Sequence, residues 1–121
     1  MATYVEINGT KYPASITGRL NDKDWNNRAS KAIKVEMDYA DAIALFVNDA
    51  LWSIIQENEV QQEAIDEEGK TTYETIIETE IYDNSEYCIA GDIINHRDGV
   101  VTIKMGKPTA DELLSMLEEV L

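Results

Sequence analysis

Residues 71–82 read Thr-Thr-Tyr-Glu-Thr-Ile-Ile-Glu-Thr-Glu-Ile-Tyr. Tyr73, Thr75, Ile77, Thr79 and Ile81 recur at every second position, and Glu74, Glu78 and Glu80 fall between them. A period of two in residues rich in β-branched and aromatic side chains is a strand signal, with one apolar face and the glutamates as its wet face. The like charges also discourage stray edge pairing. Upstream, Asp66-Glu67-Glu68-Gly69 turns the chain, and Leu51–Gln61 reads as the strand before that turn. Downstream, Asp83-Asn84-Ser85 turns it again. Tyr87–Asn95 is an apolar strand in which Gly91 marks a bulge or a close backbone approach. His96-Arg97-Asp98-Gly99 is a tight turn, and Val100–Met105 is a further strand.

The N-terminal third continues the pattern. Thr3–Ile7 alternates, and Asn8-Gly9 is the strongest short hairpin signal known. Lys11–Gly18 then places Tyr12, Ala14 and Ile16 on one face, with Pro13 predicting an edge strand. Asn21–Arg28 is polar and loop-like apart from Trp25. Lys31–Met37 alternates again, with Ile33, Val35 and Met37 inward.

Two segments switch to helical spacing. Asp38 is positioned to cap a short helix through about Asn48, with Tyr39, Ile43, Phe46 and Val47 on one face. Thr109-Ala110-Asp111-Glu112 is a capping-box pattern after Pro108. It opens a last helix with Leu113, Leu117 and Val120 as its stripe, widened by Leu114 and Leu121. The expected fold class is α+β: mainly antiparallel β, about six or seven strands, with a short central helix and a C-terminal amphipathic helix. At 121 residues the chain is expected to form one domain, residues 1–121. Apolar residues at 44% and charged residues at 28% place it among globular rather than disordered sequences.

Charge is distributed very unevenly. Residues 1–34 hold six Lys/Arg against three acids, net +3, whereas residues 35–121 hold four against twenty-one, net -17. Lys70 is the one base between residues 35 and 96, against sixteen acids. A surface so acidic disfavours direct nucleic-acid binding through its bulk. It suits docking between regions of opposite sign. No stretch reaches the length of a membrane span, the N-terminus lacks a secretion signal, and Cys88 is the single cysteine. Synthesis in a reducing cytoplasm is the expectation.

No catalytic signature stands out. Cys88 and His96 with Asp98 suggest a nucleophile–base pair, but eight residues of extended strand separate them by roughly 26 Å. Asn21–Asn27 alternates acids and amides like a calcium loop, yet Asn27 stands where glycine is needed and Ile33 where the bidentate glutamate belongs. One cysteine and one histidine cannot fill a structural zinc site. No glycine cluster forms a phosphate loop. No catalytic residue, cofactor or metal is therefore expected. Trp52 lies in an apolar strand and reads as core. Trp25, in a polar loop, either holds that loop down or anchors a partner. The candidate partner-binding residues are Asp22, Asp24, Trp25, Asn26 and Arg28. If Trp25 is the anchor, Trp25→Ala weakens binding and leaves the melting temperature nearly unchanged.

Several segments carry a family resemblance. They are Trp25-Asn26-Asn27-Arg28 with Ser30-Lys31, Leu45-Phe46-Val47 leading into Leu51-Trp52-Ser53-Ile54, Asp83 through Ile93, His96-Arg97, and the ending Lys104-Met105-Gly106-Lys107. The chain resembles small uncharacterised proteins encoded among the tail and baseplate genes of prophages in Gram-positive bacteria. The likeness covers most of the chain from residue 20 onward. It implies a phage origin and a place near virion assembly, and it brings no catalytic residues with it.

Three functional classes follow. The first is a non-enzymatic structural or interaction module of a phage tail or baseplate, partnered by itself or by another tail protein. The second is an acidic antagonist that mimics nucleic acid and blocks a host defence enzyme. The third is a small carboxylate-dependent hydrolase. A bare strand edge or flat apolar patch favours the first, acids along a ridge at phosphate-like spacing the second, and a close carboxylate pair in a deep pocket the third.

Overall fold

The computed structural model describes residues 2–120, the side chains at 116, 119 and 120 excepted. The strands are β1 (Ala2–Ile7), β2 (Thr10–Asp22), β3 (Arg28–Glu36), β4 (Trp52–Ile65), β5 (Thr71–Asp83), β6 (Ile89–Asn95) and β7 (Val100–Gly106). Helix α1 spans Tyr39–Leu45, and α2 spans Ala110–Val120. The strands form one sheet in the order β5-β4-β1-β2-β3-β7-β6, with every pairing antiparallel. The fold is α+β, as the alternating sequence predicts.

The turns follow their chemistry. Asn8 (φ 53°) and Gly9 (φ 77°) both take the left-handed conformation that a two-residue hairpin between β1 and β2 requires. The Asp66 carboxylate accepts the backbone N–H groups of Glu68 and Lys70, closing the β4–β5 turn. The capping box forms: the Thr109 hydroxyl accepts the Glu112 N–H, and the Glu112 carboxylate accepts the Thr109 N–H.

The core lies on one face of the sheet, and directly paired residues carry it from strand to strand. Trp52 pairs with Ile7, Ile54 with Val5, Val35 with Ala14 and Val101, and Ile33 with Ile16 and Ile103. Val5, Ile7, Ile33, Val35, Trp52, Ile54, Val101, Ile103 and Met105 are all buried. Helix α1 packs near β6 and β7. It does so through Ala42, not through the expected stripe. It ends at Leu45, so Phe46 leaves the helix and turns into the core, while Tyr39, Ile43 and Val47 stay exposed. A helix this short makes about two turns and buries only the residue nearest the sheet, where the small Ala42 permits close approach. Asp38 stands at its N-cap but makes no side-chain cap bond.

Pro13 does not mark an edge. Strand β2 is interior, pairing with β1 through Pro13 and with β3 from Ala14 onward. The proline occupies the hand-over between partners, where the ladder is already interrupted. The edges are β5 and β6. Gly91 lies in a register shift between Ala90 and Ile93 and is also closely approached by a side chain, so both readings of that glycine hold.

Candidate functional site

The candidate partner loop is built into the body of the protein. After β2, a 3-10 turn over Lys23–Trp25 carries the chain to β3. Asp22 is fully buried at its start. Its carboxylate accepts the Lys104 ammonium at 2.6 Å, the Ser30 hydroxyl at 2.9 Å and the Asp24 N–H at 3.2 Å. The Lys104 contact, then the Ser30 and Asp24 donors, hold the Asp22 carboxyl below its ordinary range, against the opposing effect of burial. Arg28, also buried, grips the Glu112 carboxylate through both terminal nitrogens, at 2.7 and 3.2 Å, and donates to the Lys107 carbonyl. That grip, with the Thr109 N–H, lowers the Glu112 carboxyl from 4.5 to about 2. Asp22 and Arg28 therefore spend their charge internally, whereas Asp24 and Asn26 are exposed and Trp25 is half-buried.

The Trp25 ring lies on two glycines. A Cβ at Gly91 would stand 2.8 Å from the ring, and one at Gly106 would stand 2.8 Å from the ring and 2.7 Å from Arg28 Cδ. The guanidinium of Arg28 sits 4.9 Å from the ring centroid and the Lys104 ammonium 5.8 Å. An anchor that leaves the melting temperature unchanged does not fit a ring packed this way. Trp25→Ala is expected to lower stability by about 2 kcal/mol. Gly106→Ala is expected to cost about 1–3 kcal/mol by overpacking. Urea unfolding of both single variants and the double should show a smaller Gly106→Ala penalty once the ring is gone.

The other sequence candidates separate in space. Cys88 and His96 flank opposite ends of β6. The His96 Nε2 bonds Thr102 at 2.8 Å, and the Asp98 carboxylate accepts the Val100 N–H. Among the described residues no three His, Cys, Asp or Glu side chains converge as metal ligands. Among the described residues no helix is long and apolar enough to cross a membrane.

The feature that sequence reading missed is the β4–β5 ribbon. Strand β1 pairs with β4 only from Trp52 to Glu57, while β4 and β5 continue together to Ile65 and Thr71. Beyond Glu57 the two strands form a ribbon that no other strand of the described residues flanks on either side. Its parity is set at the base, where Ile54 must face the core and pairs with Tyr82. Glu74, Glu78 and Glu80 thus lie on the continuation of the core face. Tyr73, Ile77 and Ile81 lie on the opposite face, at 68%, 63% and 66% exposure. The ladder sets Glu59 directly beside Ile77 and Glu63 directly beside Tyr73. An apolar ridge therefore runs alongside a row of carboxylates. Glu57 is bonded by Lys11 at 2.6 Å, but no Lys or Arg of the described residues reaches Glu59 or Glu63. The missed signal was strand length: a six-residue β1 cannot flank a fourteen-residue β4 along its whole length.

Comparison with family models, with characterised proteins and with solved structures finds no significant match.

Proposed function

We propose that this chain is a non-enzymatic assembly module that docks onto protein through the β4–β5 ribbon, in the phage tail or baseplate setting that the sequence resemblance implies. One observation carries the reading: a thirteen-residue edge strand with an uncovered apolar ridge. A two-stranded ribbon is marginal in water, and an exposed edge of this length invites strand addition unless a partner covers it. The carboxylates beside the ridge direct the choice toward a basic protein surface. The ribbon also bears on the nucleic-acid mimic. Its carboxylates are split between two faces and interleaved with isoleucines, which suits a protein partner better than a copied phosphate ridge.

Light scattering on the full chain tests the proposal. At low salt the expected result is a discrete oligomer or growing polymer that dissociates at high salt. A monomer at every concentration and both salts would overturn assembly of the chain with itself and move the search to a basic tail protein.

A further inference from the structure

The surface complementary to the ribbon is present on the same chain. We infer that copies associate head to tail, the β2–β3 tip of one copy entering the ribbon face of the next. This rests on the assembly reading above and names its contact.

The tip is shaped by a bulge. Arg19 pairs with Ser30 and the next pair is Asp22 with Arg28, so Leu20 and Asn21 have no partners across the ladder. A bulge re-aims the side chains it carries. Leu20 is 86% exposed, more than any other large apolar side chain of the described residues. In sequence it is flanked by two exposed cations, Arg19 and Lys23. Arg19 approaches Asp22 only at 4.0 Å, and Lys23 has no carboxylate within that distance among the described residues. The Asp22–Lys104 bond and the Trp25 packing hold the root of this tip rigid.

The receiving face has the opposite composition. A groove of about 660 Å³ opens between Tyr4 and Ile77, with Glu57 and Glu59 along it. Glu63 continues the row outward, four residues and roughly 13 Å along β4 from Glu59. Arg19 and Lys23 are also four residues apart in sequence, but across the bulge and the start of the 3-10 turn, so their long side chains must make up the difference in span. Leu20 supplies the apolar knob for the groove, while Arg19 and Lys23 meet the two carboxylates that lack an internal partner. Residues 57–80 hold nine acids against Lys70 alone, so ribbon-to-ribbon pairing of two copies is repulsive and tip-to-ribbon pairing attractive. Because tip and ribbon are different surfaces, the contact is heterologous and builds rings or open filaments, not two-fold dimers.

Charge reversal in two halves tests this by sedimentation velocity on the full chain. One variant carries Arg19→Glu and Lys23→Glu, the other Glu59→Lys and Glu63→Lys. All four positions are exposed, so circular dichroism and melting should match the parent. Each variant alone is expected to sediment as a monomer where the parent assembles. An equimolar mixture is expected to regain assembly, since each variant then finds a complementary charge. Leu20→Ser is expected to raise the dissociation constant roughly tenfold or more at unchanged net charge. An oligomeric parent unaffected by either reversal would overturn the tip-to-ribbon contact while leaving assembly intact. A monomeric parent would overturn the tip-to-ribbon contact and self-assembly together, leaving docking of the ribbon onto a different protein.

Discussion

Trp52→Ala is expected to destabilise the protein by about 3–5 kcal/mol, a large part of what a small domain has. Trp52 is the buried residue where three parts of the core meet. Its ring stands edge-on to Phe46 at 6.3 Å and to Tyr87 at 6.5 Å between centroids. Its indole N–H donates to the Tyr87 carbonyl at 3.1 Å, and its backbone N–H donates to the Ser85 hydroxyl. Alanine would empty the space against Phe46 and Tyr87 and free the segment after β5 together. Phenylalanine would keep much of the volume but leave the Tyr87 carbonyl without its donor, at about 1–3 kcal/mol. Urea midpoints of the two variants should fall in that order. Equal midpoints would place the effect in the hydrogen bond and remove packing as the cause.

Asp22→Ala should lower the melting temperature by something on the order of 10 °C, because it leaves a lysine and a serine facing a buried space without their acceptor. The Asp22–Lys104 bond joins the end of β2 to β7, on either side of β3. Removing both partners as Asp22→Ala with Lys104→Met should cost less than removing the carboxylate alone. The pH dependence has a definite sign. Asp22 and Glu112 are both more acidic folded than unfolded, so their contribution is complete above the ordinary carboxyl range and is lost as pH falls. For Glu112 the loss runs between pH 4.5 and about 2. Melting temperature plotted against pH should drop over that window, and Asp22→Ala should flatten the drop. A variant with an unchanged acid limb would show that Asp22 is equally acidic in the unfolded chain.

Most of the strand framework was legible because alternation and turn residues agree with each other. Asn8-Gly9, Asp66 through Gly69 and the Thr109 capping box act through neighbours in sequence, and each does what its chemistry says. What escaped reading depends on partners distant in sequence. The parity of β5 is decided by Ile54, some thirty residues before the end of that strand, and only the ladder transmits it. Pro13 looked like an edge residue because nothing local shows β2 changing neighbours there. Within the candidate loop, the polarity of Asp22 and Arg28 suggested solvent. Their partners, Lys104 and Glu112, come from the last fifth of the chain. The same blind spot applies to α2: its capping box was readable, but Leu113, Leu114 and Leu117 are exposed. The side chain of Val120, and Leu121, lie outside the described residues.

The pairing of β3 with β7 also governs the order in which the molecule can be made. β3 runs from Arg28 to Glu36, yet its second neighbour begins only at Val100. Val101, Ile103 and Met105, all buried, are therefore among the last core residues to leave the ribosome. Until they do, a hydrophobic strand waits with one flank unpaired, while the long acidic ribbon has already been synthesised. Distant pairing of this kind slows folding and prolongs exposure of sticky edges. The negative charge of that middle stretch makes ribbon-to-ribbon contact between unfinished copies repulsive during the interval, so the longest uncovered strand edge is shielded from its own kind while the sheet is still open.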